Sequence, residues 1–229
     1  MKVRFVDRYF IGFLVLIFIG FWPSYFSKFF DGSADFTHYF HFHAVAALLW
    51  VVLLILQPIL IRLRKNRIHA IVGKLSYVLV PLLFISVILL AHHRIDPNAK
   101  NIGFEVWIPF KDLFIFTFGY LVAIIFRKSM PIHARGMIVA GMALFEPTLV
   151  RVAFNVLEAS YPMGYYLGIA PGYTALLILI FLERKEKVGR WVFPIAIALF
   201  FLVHFIVISQ IEIPFWNSFA KWFVSLPLT

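Results

Sequence analysis

Along the chain, long apolar runs alternate with short connectors that are mostly polar and basic. A run of roughly 20 apolar residues is long enough to cross a hydrocarbon layer as a helix. Seven such runs stand in the 229 residues. They extend from about Tyr9 to Phe26, His38 to Leu63, Ile68 to His92, Ile108 to Phe126, His133 to Leu157, Met163 to Leu182 and Trp191 to Ser209. The fifth is the least hydrophobic, and the sixth contains Pro171-Gly172, a pair expected to kink it. The pattern predicts an all-α fold, a seven-transmembrane-helix bundle over residues 1–211. Residues 212–229 follow as a tail too short to span. In it Phe215, Trp216, Phe219, Trp222, Phe223 and Leu226 recur at helical spacing, with Asn217, Ser218, Lys221 and Ser225 on the other side. This is the pattern of an amphipathic helix lying in the outer membrane interface, where it meets lipid or docks a membrane-protein partner.

Composition agrees with the pattern. The chain is 62% hydrophobic and 14% charged, with a mean hydropathy of +0.92. Soluble proteins carry roughly 45–50% apolar and about 25% charged residues, so the apolar excess must face lipid. In a soluble protein the formal charge of +10 would suggest a nucleic-acid partner. Here the cations sit between apolar runs, where membrane orientation and anionic headgroups account for them, and no nucleic-acid partner is expected. Cysteine is absent, which excludes disulfides, thiolate metal sites and a cysteine nucleophile.

Charge also orients the stack. Residues 1–8, 62–74, 127–135 and 184–190 hold 15 of the 21 Lys and Arg residues. Of the 11 acidic residues only Asp7, Glu183 and Glu186 lie on the side of those basic segments, and eight lie away from it. Basic residues favour the cytoplasmic side of short loops, so the N-terminus is expected in the cytoplasm and the C-terminus outside. Lys2, Arg4 and Arg8 ahead of the first run resemble the start of a signal peptide, but no small-residue cleavage site follows. The run is therefore expected to be a retained span.

Polar and ionisable groups at membrane depth are costly and mark candidate sites. In the expected orientation His38, His41 and His43 open the second span outside, His92 and His93 close the third outside, and His204 lies in the outer half of the seventh. Asp112 opens the fourth span outside, and Glu146 and Arg151 fall in the outer half of the fifth. Imidazoles with carboxylates nearby suit zinc, copper or haem iron. His38, His41, His43, His92, His93, Asp112, Glu146 and His204 are thus candidate metal ligands. Interfacial histidines that bind nothing are the competing reading. His43, Trp50 and Gln57 follow one another at seven-residue steps and make a stripe expected to face the bundle. His69 and His133 start the third and fifth spans on the cytoplasmic side. They are candidate ligands of a bis-imidazole haem, or else caps and lipid-phosphate contacts. Pro147 after Glu146 is expected to free a carbonyl and kink the fifth span. Arg151 is placed to pair with Asp112, or to bind a headgroup or a haem propionate. No Walker loop, dinucleotide-binding glycine pattern, G-x-S-x-G elbow or HEXXH motif is present.

Three stretches carry a resemblance. They are His43-…-Trp50-…-Leu56-Gln57-Pro58, Arg67-Ile68-His69-…-Gly73-Lys74-…-Tyr77, and Pro131-Ile132-His133-Ala134-Arg135-Gly136-Met137-Ile138 with Arg151. Across roughly residues 38–155 the chain resembles a bacterial multi-span inner-membrane family of unknown function. That family has a His-x-x-x-Gly start to one span and a His-x-x-Met start to a later one. The chain departs from the pattern at Gly136, where tryptophan is expected. A looser resemblance is to b561-type cytochromes, which place histidines near both ends of adjacent spans, although the fourth span here has none. A third is to the seven-span zinc hydrolases of the adiponectin-receptor type, whose last span carries a His-x-x-x-His pair where this chain has His204 alone. These resemblances and the histidines together imply a bacterial inner-membrane protein that binds haem b or a divalent metal (zinc or copper) in a redox or assembly role. A zinc-dependent membrane-lipid hydrolase, with Glu146 or Asp112 activating water, and a non-catalytic accessory subunit are the alternatives.

Overall fold

A computed structural model describes the backbone of residues 6–229 and the side chains from Arg8 onward; Lys2, Arg4 and the side chain of Asp7 lie outside what is described. The described residues form helices and connectors, with no strand. The helices in chain order are α1 (Val6–Phe21), α2 (His38–Arg62), α3 (Asn66–Gly73), α4 (Ser76–Arg94), α5 (Ile102–Ile125), α6 (Met130–Met142), α7 (Phe145–Asn155), α8 (Met163–Leu182), α9 (Val192–Ile208) and α10 (Pro214–Val224).

Among the described residues six helical segments are long and apolar enough to cross a membrane: Arg8–Phe29, His38–Arg62, Asn66–Arg94, Ile102–Ile125, Met130–Asn155 and Met163–Leu182. The seventh expected run, α9, has 17 residues. At 1.5 Å per residue that is about 26 Å, a little short of a full hydrocarbon layer. The protein is thus an all-helical, multi-pass membrane protein by length and composition. Large apolar side chains stay exposed along these helices, including Val78, Leu177, Phe201 and Leu202; such a surface is stable only against lipid.

Two spans are interrupted. The third is α3 and α4 joined at Lys74–Leu75, and the fifth is α6 and α7 joined at Ala143–Leu144. Pro147 explains the second break, because it has no N–H to donate to the carbonyl oxygen of Ala143 one turn back. Thr148 Oγ1 donates to the carbonyl oxygen of Leu144 at 3.0 Å, and Arg151 Nη1 donates to that of Pro147 at 2.7 Å. Side chains thus add donors to two carbonyls beside the break. Pro171 does not break α8, which runs unbroken from Met163 to Leu182.

One expected boundary needs correcting. The fourth span begins at Ile102, not near Ile108, so Lys111 and Asp112 lie well inside the helix. Lys111 is the tenth residue of α5, about 14 Å along its axis. The Lys111-Asp112 pair reads as an interface in the sequence because single-residue hydropathy cannot show that the two charges have partners on other helices.

The core runs along the bundle axis through Phe13, Trp50, Leu83, Ile115, Met142 and Phe193, all essentially inaccessible. The stripe His43, Trp50 and Gln57 does face inward. His43 Nδ1 meets Ser86 Oγ at 3.1 Å, Trp50 is fully buried and Gln57 is nearly so. Within the bundle, α5 and α6 cross at Gly119 and Gly136. α10 lies along the start of α5, burying Ala220 and Phe223 and donating Trp216 Nε1 to the carbonyl oxygen of Gly103 at 2.8 Å. Its Phe215 and Trp222 stay exposed.

Candidate functional site

The densest polar centre lies where α5, α7, α8 and α9 meet. Trp107 Nε1 donates to the carbonyl oxygen of Val203 at 3.3 Å, setting α5 against α9. One turn later on α5, Lys111 therefore points at the same junction. Its ammonium is fully buried, donates to Asp112 Oδ1 at 2.8 Å and donates to Glu146 Oε2. Glu146 enters from the first turn of α7. The break before α7 exposes a helix N-terminus inside the bundle, and its unpaired N–H groups and dipole favour a carboxylate there. On α9, His204 Nε2 lies 2.8 Å from the same Oε2. Its Nδ1 lies 2.9 Å from the Tyr173 hydroxyl on α8. The result is a continuous chain, Asp112–Lys111–Glu146–His204–Tyr173, drawn from four helices.

Its surroundings complete the electrostatics. Arg151, one and a half turns beyond Glu146, acts electrostatically on both Asp112 and Glu146. Its guanidinium lies 4.5 Å from the centre of the Phe21 ring. The Tyr165 hydroxyl is buried without a hydrogen-bond partner, and the Tyr165 ring centre is 6.2 Å from that of His204. Two cations thus face two carboxylates, and one imidazole stands between them and two phenols. An ionised Glu146 only accepts hydrogen bonds, so His204 Nε2–H donates to it. His204 Nδ1 then accepts from the Tyr173 hydroxyl. A proton added to Nδ1 reverses that second bond and leaves the first in place. The imidazole can therefore take a proton on one side and release it on the other.

A second polar centre joins the starts of α3 and α6. The His69 and His133 ring centres are 6.3 Å apart and nearly perpendicular. His133 Nδ1 lies 2.9 Å from the carbonyl oxygen of Ala123, to which Nδ1–H donates. Gln57 serves His69. With its amide nitrogen toward α3 it donates to His69 Nδ1 and, at 3.3 Å, to the His69 carbonyl oxygen, while its oxygen accepts from Gly73 N–H at 3.1 Å. A metal between the rings would be held by each Nε2 at about 2 Å. His133 is set for that role. His69 is set for it when Gln57 turns its carbonyl oxygen to Nδ1, which leaves Nε2 as the free lone pair.

The six outer histidines do not converge. His41 Nδ1 bonds the Tyr25 hydroxyl at 2.7 Å, and His43 pairs with Ser86. His38 and His93 both flank Tyr39, with ring centres at 4.0 and 5.1 Å. His92 Nδ1 lies 2.6 Å from Thr229 Oγ1, and His204 belongs to the buried chain. Among the described residues no three His, Asp or Glu side chains stand close enough to hold a metal ion. Of the expected outer set, Asp112, Glu146 and His204 meet in the buried chain, while His38, His41, His43, His92 and His93 have the separate neighbours just given. His38 and His41, three apart on α2, share a face, whereas His43, five beyond His38, points to another, and their partners still differ, so a shared depth did not bring them together. Arg151 stands beside the buried chain, away from the His69–His133 pair. It lies 18 residues beyond His133 on the same span, about 27 Å away by helical rise.

Sequence reasoning passed over Lys111, Tyr165 and Tyr173. For Lys111 a signal existed, since a cation stood inside an otherwise apolar stretch; the tyrosines looked like ordinary belt residues. It also missed the buried pair of Arg135 Nε and Glu183 Oε2 at 2.5 Å. Arg135 further donates to the Val188 carbonyl oxygen at 2.9 Å, tying two basic connectors together at one end of the bundle.

Comparison with protein-family models, with curated proteins and with solved structures finds no match.

Proposed function

We propose that the chain is a bacterial inner-membrane protein crossing seven times, N-terminus in the cytoplasm and C-terminus outside, whose buried Asp112–Lys111–Glu146–His204–Tyr173 chain takes up and passes on protons. One observation carries this reading: Glu146 Oε2 is shared between Lys111 and His204 inside the bundle. Charged groups at membrane depth are kept where ions or protons must pass. With Lys111 and Arg151 charged and both carboxylates ionised, the site is neutral until His204 or a carboxylate accepts a proton. Its charge then changes by one unit, which is the property a proton-coupled membrane protein requires. The basic connectors at alternate ends of the spans support the orientation.

The test is proton flux in vesicles loaded with a pH-sensitive dye. Wild-type protein is expected to collapse an imposed pH gradient at least about tenfold faster than protein-free vesicles. Glu146→Gln keeps the size and hydrogen bonding of the side chain but removes the exchangeable charge, and is expected to return the rate to the protein-free level. Wild-type vesicles as tight as protein-free ones, with and without a membrane potential, would falsify the reading.

A second reading is favoured by the His69–His133 pair: haem b, or a zinc or copper ion, held between the two imidazoles in a redox or assembly role. When bound, such a group would supply electron transfer or Lewis acidity. The chain's own part would be to fix His133 Nδ1 through the Ala123 carbonyl oxygen and, with the Gln57 amide turned so that its oxygen faces α3, His69 Nδ1 as well. Protein purified from haem- and metal-supplied cells is expected to hold about one equivalent of ligand, detected by absorption and elemental analysis. His69→Ala and His133→Ala are each expected to remove it. A colourless wild-type protein free of iron, zinc and copper sinks this reading and leaves the proton reading untouched.

A further inference from the structure

Apart from these centres, the molecule has a cavity of about 430 Å³ at the end of the bundle where α5 begins and α9 ends. That volume lies within the usual range of ligand pockets. Its polar lining is Lys100, Asn101, Gln210, Glu212, Asn217 and Lys221. Phe104 and Ile206 add apolar wall. The two ammoniums outnumber the one carboxylate, and the three amides add neutral donors.

The walls come from three pieces of chain that one contact holds together. Trp216 Nε1 donates to the Gly103 carbonyl oxygen at 2.8 Å, and a Cβ on Gly103 would overlap the Asn217 side chain. Glycine at 103 thus lets α10 close over α5 and bring Asn217 and Lys221 opposite Lys100. The cavity sits at the ends of apolar spans, beside the polar connector 95–101. Phe215 and Trp222 stand exposed on the same helix, 80% and 55% accessible, as aromatic side chains do at a membrane–water boundary.

We propose that this cavity binds the phosphate-bearing headgroup of an anionic membrane lipid, with Lys100 and Lys221 on the phosphate, the amides on its remaining oxygens, and Glu212 accepting from headgroup hydroxyls. Lysine binds phosphate as a point charge, and Glu212 is what makes a hydroxylated headgroup fit better than a bare anion. The site is separate from the proton-exchanging chain and does not depend on it.

Purified protein in detergent is titrated with phosphatidylglycerol and, separately, with a diacylglycerol of the same chains, and bound lipid is counted by native mass spectrometry. Wild type is expected to prefer phosphatidylglycerol strongly. The double variant Lys100→Ala/Lys221→Ala is expected to weaken that binding by about thirtyfold. Lys185→Ala/Lys187→Ala, with the same loss of charge in the 184–190 connector, should leave it unchanged. Glycerol phosphate added as a soluble competitor separates the sources. Displacement of the lipid assigns recognition to the phosphate alone, and no displacement assigns it to phosphate and acyl chains together. Equal binding of the two lipids by wild type, or equal loss in both double variants, overturns the proposal.

Discussion

Lys111→Met is expected to destabilise the folded protein by about 3–5 kcal/mol, the usual cost of removing one partner from a buried ion pair. Methionine fits the space, so loss of packing contributes little. The cost arises because Asp112 and Glu146 are left facing each other and His204 without their shared cation. Thermal unfolding in detergent, followed by the size-exclusion profile, measures the effect. Adding Asp112→Asn and Glu146→Gln to Lys111→Met removes the stranded charges and should recover at least about half of the loss. A Lys111→Met protein that melts with wild type would mean that the ammonium holds nothing together. This stability readout is independent of flux, so Glu146→Gln can silence proton movement while the fold persists.

Gly136→Leu is expected to be as damaging, at about 3 kcal/mol or more. A Cβ on Gly136 would stand 2.5 Å from the Ala123 nitrogen and 2.6 Å from the Gly119 carbonyl oxygen. From the other side, a Cβ on Gly119 would stand 2.8 Å from the Gly136 carbonyl oxygen. Both obstacles are backbone, so no side chain can swing away and the helices must separate. Small residues are what permit such close crossings between membrane helices. The same crossing explains why Gly136, rather than a tryptophan, is compatible with this packing. Separating α5 from α6 would also pull Lys111 away from Glu146, since α7 continues α6. The variant should therefore lose monodisperse protein on size exclusion. Gly12→Leu, at a glycine where an added Cβ would meet nothing within 4 Å, is the control expected to stay folded.

Parts of this architecture were legible in the residues. The apolar runs matched helices α2 and α8 nearly end to end, because a span must satisfy its own backbone and therefore reads as one unbroken apolar stretch. Pro147 was legible as a break. The inward stripe of His43, Trp50 and Gln57 was legible because heptad spacing keeps one helix face toward its neighbours. The eight histidines misled, since depth in the membrane is a one-dimensional coordinate. His38, His41 and His43 open a span on the side where His92 and His93 close one, yet His41, His43 and His92 bond Tyr25, Ser86 and Thr229 separately, and His38 and His93 pack against Tyr39. A site needs agreement in angle as well as depth, and angle depends on how helices pack.

Taken alone, the residues establish a helical membrane protein with lipid-facing runs and basic connectors, because the hydrophobic effect and backbone satisfaction in lipid act on each segment separately. It took the packed bundle to show that Lys111, Glu146, His204 and Tyr173 meet, and that His69 faces His133. Those meetings depend on which face each helix turns to its neighbours, fixed by contacts such as Gly119 against Gly136 and Trp107 against Val203. No periodicity in a single segment encodes them, because each joins residues tens of positions apart across helices.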